Sequence, residues 1–429
     1  KMKYFQLILI VVFGLFVACT GSDVIVATIQ SEKIHLSEIY QSIDETAFRA
    51  LPPSQKTAFV RKYAIQKHLS ANPQNELAKI GFFVKEEKNR LRRDLIVEKV
   101  EKYLANNLEI SDSTLAFISN ALNTDIYVKV LTVTHRFSFG KAQERTKTEA
   151  LKKAEKIYMR MQSGELTFEE AMSIYGESQV SKIKGNEMGQ IYFGYMSKNF
   201  NDVVWSAPQE KLLEPLESPM GYHIIIVDHK IPKMKEKRIE IDQNKLKEEV
   251  QKGKYGYREE NFTKFLDTIY LKYDASLNQA ELYNVWDSIQ KIDGVNSMSG
   301  IPVSMLTEVD NKVIGKIGGK EITLDWLVNE TNNYSFYANV SINNGFSFNK
   351  LINDIFARHL LVQWYADNKD HFPEFDVTIK RKTVNKIYRL FLEKMEELQP
   401  DISRDVILNR FMLKHGIVVN SALFAENAN

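Results

Sequence analysis

The stretch GNEMGQIYFGYMSKNFNDVVWSAPQEKLLEPLESPMGYHIIIV, residues Gly185 to Val227, decides the fold of this chain. It ends in the run GYHIIIV (Gly221 to Val227), whose apolar, β-branched composition predicts a strand. Upstream lies a turn flanked by glycines, together with Met188, Met196 and Phe200, whose spacing suits one small apolar pocket. The stretch therefore predicts a strand that closes a sheet beside an apolar pocket.

The whole stretch resembles the second half of a parvulin-type peptidyl-prolyl isomerase domain, for which the pattern GGDLGxFxxGxMxxxFExAxF…EPVxTxxGYHIIxV is typical. Read without a gap, the chain has identical or similar residues at Gly185, Glu187, Met188, Gly189, Gly194, Met196, Phe200, Trp205, Glu214, Pro215, Gly221, Tyr222 and His223. The resemblance implies an α+β fold, with an antiparallel sheet and surrounding helices. It also implies rotation of X-Pro bonds without a cofactor or a metal.

The residues upstream of this stretch fit the first half of such a domain. Ile126 to Thr134 is β-branched and alternating, which predicts a strand that delivers His135 at its end. An amphipathic helix follows and ends at Gly164, and a second helix begins with a capping box of Thr167 and Glu170. This order of strand, two helices and closing strand is the one that the parvulin fold requires.

The resemblance also assigns site residues. His135 and His223 match the paired histidines of the parvulin centre, which hydrogen-bond in the floor of the pocket. Three residues match the positions that hold the proline ring: Met188, Met196 and Phe200. The third polar position of the family falls at Glu177 or Ser178, and the length of the loop leaves both open.

Three departures from the pattern bear on activity rather than on fold. Asn186 replaces a glycine, Gln190 replaces an aromatic residue, and Glu210 replaces a turn glycine. An isomerase unit that keeps its shape but has weak activity is therefore the alternative to an active enzyme.

The bulk composition excludes several other classes. At 429 residues the chain is long enough for about three domains of ~150 residues. Its net charge of +2 disfavours nucleic acid as a partner. Cys19 is the only cysteine, which rules out a disulfide within the chain and a cysteine-ligated metal site. The sequence also lacks the GxSxG motif of a serine hydrolase.

Residues 1–19 have the pattern of an export signal. Lys1 and Lys3 precede an uncharged apolar run from Tyr4 to Val17, and Phe16-Val17-Ala18-Cys19 follows. Small residues before a cysteine resemble a bacterial lipobox, which implies that Cys19 is acylated and anchors the protein without a transmembrane helix. A plain secretory signal with an incidental cysteine is the alternative. The lipobox predicts a periplasmic protein of a Gram-negative bacterium, anchored to the outer membrane.

A repeat flanks the isomerase-like unit. The segments around Ile29 and Ile317 lie 288 residues apart, and each predicts a short strand, a turn and the start of a helix. His68 and His359 continue the correspondence in the same order. Ser111 and Ser403 extend it, and each is predicted to cap the helix that follows it.

The resulting organisation is similar to that of SurA- and PrsA-type periplasmic folding factors. We predict a signal peptide at 1–19, a helical chaperone-like module at 20–122 and a parvulin-like domain at 123–230. A charged helical linker region follows at 231–310, and a second helical module at 311–429 repeats the first.

Two functions follow from this organisation. The first is a lipid-anchored isomerase and folding chaperone whose clients are unfolded or exported proteins with X-Pro bonds. The second is an ATP-independent holdase, or a structural subunit of an envelope or secretion complex, with a weakly active or inactive parvulin unit.

Overall fold

The computed structural model describes residues 23–71, 78, 81–140, 143–177, 187–337, 340–373 and 375–425. Its α-helices are α1 (Leu36–Tyr40), α2 (Glu45–Arg49), α3 (Pro53–Ala71), α4 (Val84–Asn106), α5 (Asp112–Leu122), α6 (Lys147–Gln162), α7 (Phe168–Tyr175), α8 (Lys198–Ser206), α9 (Gln243–Gln251), α10 (Tyr257–Lys272), α11 (Gln279–Ile289), α12 (Leu324–Thr331), α13 (Gly345–Asp367), α14 (Phe375–Leu398), α15 (Arg404–Lys414) and α16 (Ala422–Ala425). Its strands are β1 (Ile25–Ile29), β2 (Glu32–His35), β3 (Thr124–Val133), β4 (Glu187–Ile191), β5 (Leu212–Ser218), β6 (Gly221–Pro232), β7 (Ser276–Leu277), β8 (Ile301–Pro302), β9 (Val313–Ile317), β10 (Lys320–Thr323), β11 (Ser341–Ile342) and β12 (Ile417–Val419).

The chain divides into two compact units. Unit 1 combines Lys1–Lys88 with Lys380–Asn429, and unit 2 is Asn89–Ile379. The divisions fall within α4 and α14. The predicted isomerase domain and linker region lie wholly in unit 2, whereas unit 1 takes residues from both predicted helical modules.

The isomerase-like sheet in unit 2 has the strand order β4-β3-β6-β5, and all its pairs are antiparallel. Alternate residues of β3 face opposite sides, as a pleated strand requires. Leu131 and Val133 pack with α6 and α7, whereas Val128 and Val130 belong to a separate core with residues of α5, α8 and α9. The α+β fold class and the two predicted strands are confirmed, with β6 running five residues beyond its predicted end.

The predicted helix caps are confirmed except for one hydrogen bond. The side chains of Thr167 and Glu170 form the capping box of α7, and the Ser111 side chain accepts a hydrogen bond from the Thr114 N–H at the start of α5. Ser403 stands at the N-cap position of α15 but makes no side-chain cap bond. The serine therefore marks the start of both helices, although only Ser111 caps through its side chain.

The other core of unit 2 is helical. Apolar residues of α10 to α13 form one cluster with Ile96, Val97 and Val100 of α4. The hairpin β9–β10 packs into this cluster, and β7 pairs with β9. Glu330 is buried there. Its carboxylate forms an ion pair with Arg93 and lies 2.9 Å from His359 Nδ1. His359 thus contributes to a packed ion-pair network.

Unit 1 is built from both ends of the chain. β1 lies between β2 and β12, with Ile29 opposite Ile417. The Phe391 ring of α14 is fully buried and lies 4.7 Å from the Phe411 ring of α15. The His68 ring of α3 lies 5.8 Å from Phe411, so His68 is part of this core.

The two segments predicted to correspond each form a hairpin followed by a helix. β1–β2 is followed directly by α1, and β9–β10 is followed directly by α12. The strand near the end of the chain, β12, pairs with β1. Among the described residues, no helix combines the length and apolarity needed to cross a bilayer.

We predict that Phe411→Ala lowers the free energy of unfolding of unit 1 by about 3–5 kcal/mol, because it leaves a cavity against Phe391 and His68. Urea unfolding of the full chain measures the loss, and limited proteolysis within residues 23–71 reports where it acts. Leu413→Ala on the same helix is the matched control, since Leu413 is 84% exposed. Equal losses in the two variants would contradict the packing of unit 1.

Candidate active site

His223 lies on β6, where its side chain is buried and hydrogen-bonded. In the β3–β6 register His223 lies opposite Thr132, and in the β5–β6 register it lies opposite Leu216. The imidazole Nδ1 is 3.0 Å from Thr132 Oγ1, and Nε2 is 2.6 Å from Ser218 Oγ. Both ring nitrogens are therefore held by hydroxyl groups, and the side chain is only 3% exposed.

His135 lies just beyond the end of β3, in a tight turn. Its backbone N–H donates to Ser138 Oγ at 2.9 Å, and the Phe137 N–H donates to its Nδ1 at 3.2 Å. The ring lies 6.4 Å from the ring of Tyr222, the neighbour of His223 on β6. The pairing of β3 with β6 thus brings the two predicted histidines to the same end of the sheet.

Of the predicted proline-pocket residues, Phe200 lies next to His223. Phe200 is on the first turn of α8, behind the N-cap Ser197, and its ring meets the His223 ring edge-on at 6.4 Å. Met196 is half-buried at the turn before α8, where its carbonyl accepts a hydrogen bond from the Asn201 amide at 2.9 Å. Met188 has its backbone in β4, and its side chain lies outside the described part of the structure.

A mostly apolar cleft of about 780 Å³ opens beside Met196. Its walls are the turn at 193–199 and the segment 253–263. Tyr255 contributes one wall, and its ring lies 5.4 Å from that of Phe193. The cleft is therefore lined partly by residues beyond the predicted domain, and it includes Met196 but not Phe200 or His223.

Glu177, one of the two candidates for the third polar position, is held by several hydrogen bonds. The Glu177 carboxylate accepts hydrogen bonds from Arg145 at 2.8 Å, from Lys153 at 2.7 Å and from the Thr134 N–H at 2.8 Å. Arg145 also donates to the Thr134 carbonyl at 2.8 Å. Glu177 therefore clamps the backbone immediately before His135. Ser178, the other candidate, lies outside the described residues.

Burial and hydrogen bonding set the charges of the site. Burial lowers the pKa of the His223 imidazole to about 4. Burial, followed by the positive charge of Lys147, lowers the pKa of His135. Burial alone would raise the pKa of the Glu177 carboxyl, but hydrogen bonds from Arg145 and Lys153 outweigh it and hold that pKa below its usual value. His223 is therefore neutral at neutral pH.

Sequence reasoning missed the two hydroxyl partners of His223. Ser218 precedes His223 by five residues across the tight connection between β5 and β6, and its Oγ also accepts the Met220 N–H at 3.0 Å. Thr132 lies three residues before His135 on the predicted strand. Pairing the two predicted strands in register would have placed Thr132 opposite His223. Among the described residues, no cluster of three His, Cys, Asp or Glu could hold a metal ion.

Comparison with known families agrees with this geometry. Residues 131–229 match the family described as Rotamase, the PPIC-type PPIASE domain. The chain contains a PPIC-type peptidyl-prolyl isomerase domain. The match begins within β3 and ends within β6, so it contains His135, His223 and both hydroxyl partners.

Two relatives are similar over part of the chain. The chain is 39% identical over 61 residues to foldase protein PrsA 1 of Bacillus cereus, which is 14% of this chain and 21% of that protein. It is 31% identical over 83 residues to chaperone SurA of Pseudomonas fluorescens, 19% of each chain. The matches thus span about a fifth of the relatives' own length.

Solved structures of related proteins are also similar. PrsA from Bacillus cereus shares 17% identity, covering 57% of this chain and 90% of that one with a TM-score of 0.27. A structure described for the SurA-like chaperones PEB4 and Cj1289 of Campylobacter jejuni shares 19% identity, covering 57% and 94% with a TM-score of 0.22.

The lowered pKa of His223 predicts a specific loss of stability in acid. The folded His223 takes up a proton near pH 4, whereas the unfolded chain does so near its ordinary pKa of 6.5. Between these values the unfolded chain binds more protons, so the free energy of unfolding falls as the pH drops, by about 3 kcal/mol in total. Below pH 4 both states are protonated and this contribution stops changing.

His223→Gln, which has no titrating group, isolates this effect from the titration of the carboxylates. Urea unfolding of both proteins near pH 7 and near pH 4.5 measures it. We expect wild type to lose about 2–3 kcal/mol more than the variant over this interval. Parallel losses would show that His223 titrates normally in the folded protein.

Proposed function

We propose that this protein is a peptidyl-prolyl cis-trans isomerase and folding chaperone for exported or outer-membrane proteins, anchored by Cys19 and facing the periplasm. One observation carries the isomerase activity: His223 is held neutral between Thr132 and Ser218, with the Phe200 ring against its edge. These residues lie in the domain that matches the PPIC-type family.

The chemistry needs no nucleophile. Amide resonance imposes a barrier of about 18–20 kcal/mol on rotation of a peptide bond, and uncatalysed X-Pro switching takes tens of seconds. Phe200 and Met196 supply apolar surface for the proline ring, while the neutral His223 avoids a buried charge beneath it. Glu177 contributes no free anion, because Arg145 and Lys153 neutralise it. The twisted amide, which has lost resonance, is then favoured by an apolar, low-dielectric pocket with fixed dipoles.

A holdase without turnover is the second candidate, and exposed aromatic residues around the pocket favour it. Tyr192 and Tyr195 are 57% and 84% exposed and their rings lie 5.9 Å apart, next to Met196. Phe139, at the end of the His135 turn, is also exposed. Such a surface suits the apolar segments of an unfolded chain whether or not a proline isomerises.

An isomer-specific protease-coupled assay on Ala-Xaa-Pro-Phe peptides tests the first candidate. We expect the full chain to accelerate isomerisation, and Phe200→Ala and His135→Gln to lower kcat/KM by about ten- to a hundredfold, because the proline ring and the amide lose their fixed geometry. Phe336→Ala is the control, since Phe336 is 72% exposed and lies outside the site.

Aggregation of reduced insulin separates the two candidates. If wild type gives no acceleration but suppresses aggregation, the isomerase proposal fails and the holdase stands. In that case the double change Tyr192→Ser and Tyr195→Ser should remove most of the suppression, whereas Phe336→Ser should not.

Membrane anchoring rests on the lipobox-like sequence before Cys19. In a Gram-negative host fed labelled palmitate, we expect the wild-type protein to carry label and to fractionate with membranes. Cys19→Ser should lose both, because the thiol is the acylated group, and Ser22→Ala should retain both. An unlabelled wild-type protein would contradict the anchor and leave the isomerase activity untouched.

A further inference from the structure

The turn that carries His135 packs against helices outside the matched domain. Gly345, the first residue of α13, lies so close that a Cβ there would be 2.5 Å from the Arg136 carbonyl oxygen and 3.0 Å from the Phe137 ring. Any larger residue at position 345 would displace the turn. The turn is therefore in direct contact with the start of α13.

Phe137 connects this contact to the His135 ring. Its side chain is buried and stacks on the ring of Tyr283 in α11, with centroids 4.6 Å apart and planes inclined by 13°. Its backbone N–H donates to His135 Nδ1. Because Nδ1 accepts, a neutral His135 carries its proton on Nε2. The backbone of the stacked residue thus also fixes the tautomer of His135.

Arg136 also contacts α11, the helix on which Phe137 stacks. Its guanidinium lies 2.7 Å from Asp287 and 5.7 Å from the centre of the Tyr283 ring. Tyr283 and Asp287 are four residues apart, so both lie on one face of α11. The Tyr283 hydroxyl also accepts the Lys147 N–H at 2.9 Å, at the start of α6. One helix face therefore holds both ends of the segment 136–147.

We propose that Tyr283 and Asp287 are positioning residues for His135, so that the working isomerase site extends beyond residues 131–229 to include α11. The inference rests on the proposed isomerase function. Neither residue touches the proline pocket, and both act through Phe137 and Arg136.

NMR of the full chain labelled with ¹⁵N-histidine tests the positioning directly, with His135→Gln assigning the signal. In wild type we expect a neutral His135 with a single Nε2–H tautomer. Tyr283→Ala should give a mixture of tautomers and lower kcat by about tenfold with little change in KM, below the roughly hundredfold that a 1 Å misplacement can produce. Tyr283→Phe keeps the stack and should restore the single tautomer and most of kcat.

Asn284→Ala is the matched control, because Asn284 is exposed beside Tyr283 on the same helix. If Tyr283→Ala does not fold, Asp287→Asn replaces it, and we expect the same direction with about a threefold loss of kcat. An unchanged tautomer and kcat in a folded Tyr283→Ala would overturn the proposal, as would an equal effect of Asn284→Ala. If wild type does not catalyse at all, the proposed function fails, while the tautomer alone still decides whether α11 positions the ring.

Discussion

The antiparallel pairing of β3 with β6 is the constraint on which the site depends. It sets Thr132 against His223 and Val133 against Tyr222, so His135, two residues beyond β3, and His223, the third residue of β6, lie at the same end of the sheet. Gly221 makes this pairing possible, because it has φ +123° and a Cβ there would lie 2.4 Å from the Val133 carbonyl oxygen. A side chain at this position would separate the strands at the point where the histidines converge. The glycine of the GYH motif is thus required by backbone contact, and the histidine by its hydroxyl partners.

Local sequence patterns predicted the elements that depend on neighbours a few residues away. The capping box at Thr167 and the two strands follow from short-range periodicity and turn chemistry, whereas the pairing of His135 with His223 comes from the resemblance to parvulin-type domains. Glu177 shows the limit of that reasoning. It was predicted as a polar group of the site, but its Arg145 and Lys153 partners lie 32 and 24 residues away. Only the folded arrangement of α6 against β3 reveals that the carboxylate holds the backbone at Thr134.

The repeat shows the same limit on a larger scale. Each of the two corresponding segments contains a hairpin that is followed directly by a helix, and each hairpin has an edge that another strand can cover. β1 receives β12 from the far end of the chain, and β9 receives β7 from the segment just before it. Because the two segments have similar apolar patterns, sequence alone does not specify whether β7 or β12 pairs with a given hairpin.

The turn before α8, like the turn that carries His135, packs against a residue outside the matched domain. Tyr255 has φ +68°, a conformation that costs about 1–2 kcal/mol for a residue with a side chain. Packing against Gly194 offsets this cost, since a Cβ on Gly194 would lie 2.6 Å from the Tyr255 ring. Gly194 stands two residues before Met196, so the Tyr255 ring restricts the turn that presents Met196 to the pocket. The residues proposed to form the site lie in the PPIC-type domain, but Tyr255 packs against the turn before Met196 and Tyr283 packs against the turn that carries His135.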